Sequence, residues 1–135
     1  MIRRCSLLLM LCLLLPLSAQ AGQEAPAGPE ILAVKFHADW CGSCKKMGTV
    51  FEDLRQKYDG QPVLFVTLDR TNVSTRAQAE LMASALDFGS LYAENSGTGF
   101  ILLLDGKDRK PLAKLTADQG IKAMGSKLVE LLESR

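Results

Sequence analysis

Two cysteines separated by two residues, Cys41 and Cys44, are the side chains best placed to do chemistry in this sequence. The thiolate, not the thiol, attacks disulfides and binds metals. The pair falls between an apolar run suited to a strand, Ile31 to His37, and a helical pattern that follows. Cys41 is therefore expected at a helix N-terminus, where unpaired N–H groups and the helix dipole favour negative charge. Lys45 and Lys46 add to the positive field within the next turn. Cys44, three residues on, lies on the same side of the helix and reads as the more buried thiol. That spacing lets Cys41 attack a substrate disulfide and Cys44 break the mixed disulfide that results. The competing use of Cys-x-x-Cys is half of a zinc site. Structural zinc wants four ligands, yet beyond residue 21 the chain has no other cysteine and His37 is its lone histidine. No metal site is expected within one chain; a thiol-based metal carrier is the alternative from another class.

The elements that must position the pair follow from pattern. Met47, Val50, Phe51, Leu54 and Tyr58 line one helix face, with Gly60 and Pro62 as a stop. Residues 63–68 form a second strand. Thr75 to Gln78 has the form of a capping box, opening a helix with Leu81, Met82, Ala85 and Leu86 inward. A polar stretch from Gly89 to Gly99 precedes a third strand over 100–104. Residues 105–108 are turn chemistry, leading to an antiparallel strand over 111–115. Thr116 to Gln119 reads as a second capping box, before a last helix with Ile121, Met124, Leu128 and Leu131 inward. This order predicts an α/β domain over residues 31–135, with a central mixed sheet of about four strands flanked by helices.

The 135 residues leave room for one domain and hardly a second. Sixteen Lys+Arg against 15 Asp+Glu show no basic excess, so nucleic acid is not an expected partner. Residues 1–21 have the three parts of a cleaved secretory signal: Arg3-Arg4, an apolar run, and Ala19-x-Ala21. Removing Arg3 and Arg4 from the 16 basic residues leaves 14 against 15 acidic ones. Cys5 and Cys12 leave as well, so only Cys41 and Cys44 remain. Residues 22–30, rich in Ala, Gly and Pro, read as a flexible lead-in.

The segment Phe36-His37-Ala38-Asp39-Trp40-Cys41-Gly42-Ser43-Cys44-Lys45 resembles the active-site segment of the thioredoxin superfamily. Its Ala38-Asp39-Trp40-Cys41 wording is especially similar to the C-terminal domain of bacterial transmembrane thiol-electron transporters. The resemblance implies a thioredoxin-like fold, with Cys41 as nucleophile, Cys44 as resolving thiol and Trp40 as an apolar wall beside them. It departs from the family in three places. The family's cis-proline, which faces the Cys pair, is replaced by Gly99, so the Thr98–Gly99 peptide is expected to be trans. Thr98 and Gly99 then supply the backbone edge for substrate. Lys35 stands where thioredoxins hold a buried carboxylate; it reads as a proton acceptor, as a thiolate stabiliser, or as a residue snorkelling out at a sheet edge. Ser43 stands between the cysteines, where reducing members commonly have Pro and oxidising members often have His. His37 reads as an ordinary strand-end residue, and Tyr92 and Glu94 as weak candidates for touching substrate.

The expected function is an exported thiol-disulfide oxidoreductase acting on protein thiols and disulfides in the reducing direction, with disulfide donation as the variant within the class. Its only cofactor would be the Cys41–Cys44 disulfide itself. It would work as a monomer, periplasmic or secreted after cleavage near Ala21, with a membrane protein as electron donor.

Overall fold

The computed structural model describes residues 28–135. The expected signal segment over 1–21 and most of the lead-in lie outside the described residues. Four strands form one sheet: β1 (Ile31–His37), β2 (Val63–Asp69), β3 (Phe100–Asp105) and β4 (Pro111–Thr116). Their spatial order is β2-β1-β3-β4. β1 runs parallel to β2 and antiparallel to β3, and β3 is antiparallel to β4. The mixed, four-stranded thioredoxin-like sheet is therefore as expected. β3, and β1 apart from Lys35, are largely apolar because both sit inside the sheet and are covered on both faces.

Strand alternation divides the core in two. Leu32, Val34 and Phe36 of β1 join Val66, Leu68, Leu102 and Leu104 under α3 (Val73–Ala85) and α4 (Gly89–Glu94). Ile31 and Ala33 join Ile101 and Leu103 on the other face. There they meet α2 (Val50–Lys57), which follows the short α1 (Gly42–Met47), and α5 (Gly120–Glu133). Each fully buried large side chain here, such as Phe51 or Leu128, contributes roughly 1.5–3 kcal/mol of transfer free energy.

Five expectations need correction. The helical face from Met47 to Tyr58 is buried as read, but the helix is broken: Gly48 turns to φ +50° and ends α1 before α2 begins. In α3 the inward residues are Ala79 and Ala83, whereas Leu81 and Met82 are exposed. The first capping box sits three residues early, with Asn72 as cap and Thr75 as its partner: the Asn72 side chain accepts from Thr75 N–H at 3.0 Å. At the second, Gln119 Oε1 does accept from Thr116 N–H at 3.0 Å, yet α5 starts only at Gly120 and Ile121 is exposed. The polar stretch from Gly89 is not all loop, since it contains α4.

Candidate active site at the end of the central strand

Cys41 caps α1 with extended backbone, and its Sγ accepts from the Cys44 N–H at 3.1 Å. The Cys44 thiol donates to the Phe36 carbonyl at 3.8 Å. Both cysteines are buried, at 7% and 4% exposure, in a small cluster with Ala38. Their acidities are driven apart. Burial alone would push the Cys41 thiol up, but hydrogen bonds from the Cys44 thiol, the Thr98 hydroxyl and the Cys44 and Ser43 N–H groups outweigh it. The Cys41 thiol is held below its ordinary value. Burial pushes the Cys44 thiol up, and the neighbouring Cys41 sulfur, through its hydrogen bond and its charge, pushes the same way. The more buried thiol is Cys44, as its spacing predicts.

Gly99 faces this pair. It has φ +85°, its peptide with Thr98 is trans, and its N–H donates to the Phe36 carbonyl at 2.8 Å. A Cβ at this position would overlap the Ser43 Cβ and lie 3.1 Å from the Cys41 Sγ. Glycine is thus required twice over, by conformation and by contact. Thr98 and Gly99 are both brought to the thiols.

Trp40 stands 63% exposed, so it is no core aromatic. Its indole N–H donates to the Thr71 carbonyl at 3.2 Å. Thr71 also accepts from the Asp39 N–H at 3.0 Å through its hydroxyl, which in turn donates to the Asp69 carboxylate at 2.5 Å. Burial pushes that carboxyl up, but the Thr71 donors and the field of His37 hold it below the usual range. The Asp39–Trp40 turn before Cys41 is thereby tied to the end of β2. His37 bonds Asp39 at 3.2 Å and lies opposite Asp69 in the strand register, consistent with a strand-end residue.

Lys35 lies on the face shared with α2, 9% exposed, with its Nζ 5.4 Å from the Phe51 ring centroid. Its strand is flanked by β2 and β3, so it does not emerge at a sheet edge. Tyr92 is buried in the core, stacked on Phe36, and is not offered to a substrate; Glu94 is exposed. Arg70 is a residue that the sequence pattern does not single out. It is 9% exposed, and its guanidinium lies 4.1 Å from the Tyr92 ring centroid and bonds the Tyr92 and Asn95 carbonyls. A single arginine at a strand end carries no sequence signal that separates it from a solvated one. Among the described residues no three or more His, Cys, Asp or Glu side chains converge as a metal site would require.

The four-stranded mixed sheet with its flanking helices is a thioredoxin-like fold, and it carries the Cys41-x-x-Cys44 pair at the end of β1. Residues 23–84 match the thioredoxin family model. The thioredoxin of Ictalurus punctatus is 44% identical over 43 residues, 32% of this chain and 40% of that protein. Protein disulfide-isomerase 1 of Caenorhabditis elegans is 46% identical over 39 residues, 28% of this chain and 8% of that protein. The chain spans about half the length, or less, of the curated relatives it matches. Among solved structures, a mutant thioredoxin from Halobacterium salinarum aligns over 77% of this chain and 76% of that one, with TM-score 0.48 and 18% identity.

Proposed function

We propose that this chain is an exported thiol-disulfide oxidoreductase that reduces protein disulfides through Cys41 and Cys44. The observation that carries the reading is the geometry of two thiols three residues apart: the Cys41 sulfur caps α1 and accepts the Cys44 N–H, with the Cys44 thiol set behind it on the Phe36 carbonyl. The Cys41 thiolate attacks one sulfur of a substrate disulfide; a mixed disulfide forms and the other substrate sulfur leaves as a thiolate that takes up a proton. Cys44 then gives up its proton and attacks the Cys41 sulfur. The second substrate thiol is released, and two electrons have passed from the Cys pair to the substrate. A raised Cys44 thiol keeps its proton until this second step. Trp40 offers a flat exposed wall beside the attacking sulfur, and the Thr98–Gly99 edge offers backbone for a substrate strand. Lys35 is the candidate to take the Cys44 proton or to favour thiolate. The matches to a thioredoxin and a protein disulfide-isomerase support the same chemistry.

Export rests on the Arg3-Arg4 start, the apolar run and Ala19-x-Ala21. The exported protein works as a monomer, in the periplasm or outside the cell. There a reductase needs electrons from a membrane partner, and the wording of Ala38 to Cys41 supports a role beside transmembrane thiol-electron transporters.

Two measurements test this. A C44S variant should accumulate mixed disulfides with substrate proteins, while C41S should form none and reduce no disulfide-bonded test protein. Equilibration of the pair in thiol redox buffers should give about −250 mV or lower; a value near −120 mV, roughly that of a strong oxidant, would make it a disulfide donor instead.

A further inference from the structure

We infer that Arg70 is a positioning residue for the thiol pair: its guanidinium anchors the chain at Tyr92 and Asn95, and so sets how Thr98 and Gly99 lie against Cys41. This rests on the redox reading of the site above and extends it to a residue that touches neither sulfur.

The geometry is that of a short strap between two anchors. At one end, Arg70 Nη1 donates to the Asn95 carbonyl at 2.5 Å and Nη2 to the Tyr92 carbonyl at 3.2 Å. At the other, the Gly99 N–H donates to the Phe36 carbonyl at 2.8 Å. Only Ser96, Gly97 and Thr98 span the gap. Both anchors refer to the same stretch of β1. The guanidinium lies 5.9 Å from the Phe36 ring centroid, and the Arg70 N–H donates to the His37 carbonyl at 2.8 Å. The Phe36 carbonyl that holds Gly99 also receives the Cys44 thiol.

Burying a guanidinium is costly unless it is hydrogen-bonded, and here carbonyls and two aromatic faces take the place of a carboxylate. Lysine is no equivalent, because one ammonium cannot reproduce the planar fork that reaches two carbonyls from between rings. Gly99 adds no stiffness of its own, so the strap depends on its anchors. If the Arg70 anchor slackens, the Thr98 hydroxyl and the Gly99 backbone move relative to Cys41.

The test is a thiolate titration of the reduced protein, followed by ultraviolet absorbance, in wild type, R70K, T98V and the double variant. T98V should raise the Cys41 pKa by roughly one unit, the size of a hydrogen bond to a charged group. R70K should raise it by roughly half a unit, and should add nothing in the T98V background, because the two act in series. An unchanged Cys41 pKa in R70K, or a shift that persists in full beside T98V, overturns the proposal. A second variant inserts one glycine after Ser96, which lengthens the strap with the guanidinium in place. It should raise the Cys41 pKa too, and a wild-type value would likewise overturn the proposal, even if R70K fails to fold. Reduction of a disulfide-bonded test protein by wild type separates the two failures: activity with an R70K titration like wild type removes only the role of Arg70, whereas an inactive wild type removes both.

Discussion

Two arginines hold backbone carbonyls at opposite ends of the sheet, and their settings differ. Arg70, at the end of β1 and β2 nearest the thiols, is buried between aromatic rings and grips Tyr92 and Asn95. Arg109, in the turn between β3 and β4, is half-buried and bonds the carbonyls of Leu86, at 2.8 Å, and Gly106. The aspartates repeat the contrast. Asp69 takes two hydrogen bonds from Thr71, which also holds Asp39 and Trp40. Asp105 takes Lys107 and Asp108 N–H groups and an ion pair from Arg135 at 2.6 Å, which together hold its carboxyl well below the usual range. The same devices thus close a turn at one end and aim a reactive segment at the other. What distinguishes them is where the held chain leads: from Asn95 it runs to Thr98, beside Cys41, and from Gly106 it runs through the turn into β4, away from the thiols.

That contrast can be broken by substitution. The largest effect is expected at Gly99. Gly99→Ala forces a side chain into a left-handed backbone and against Ser43 and Cys41. It should cost about 2 kcal/mol by denaturant unfolding and lower the rate of disulfide exchange as well. A variant as stable and as active as wild type would show that the close approach does not matter. Arg109→Lys comes next. Losing one of two carbonyl contacts should cost about 1 kcal/mol by chemical unfolding while leaving the Cys41 titration unmoved. A shift in that titration would erase the distinction between the two ends. Smallest is Met82→Lys on the exposed side of α3, expected within about 0.5 kcal/mol of wild type in a thermal melt.

Met82 also shows where sequence and structure part. Its helix carries apolar residues on two sides, and periodicity favours the large ones. The structure instead buries Ala79 and Ala83, whose small side chains let α3 lie close on the sheet, and leaves Leu81 and Met82 outside. Strands were legible because β1, but for Lys35, and β3 are apolar runs in the middle of the sheet. The Cys pair was legible because its spacing is chemical. The break at Gly48 was not, since the face from Met47 to Tyr58 stays in phase across it. Arg70 and Thr71 were invisible for a different reason: their roles come from carbonyls and loops distant in sequence, which pattern does not register.

The opposed acidities also fix the sign of the pH dependence. The folded Cys41 pKa lies below its ordinary 9.0, so its stabilising contribution to the reduced form is present above that value and is lost as pH falls through the folded value. Cys44 runs the other way: its contribution is present below 9.0 and is lost as pH rises through its raised folded value. The measurement that tests the site most directly is alkylation of the reduced protein across pH, with the labelled cysteine located by peptide mass spectrometry. Cys41 should be labelled first, with its midpoint below pH 9.0, while Cys44 stays unlabelled until above it. Equal labelling of both thiols, or labelling of Cys44 first, would contradict the assignment of Cys41 as nucleophile and Cys44 as resolving thiol.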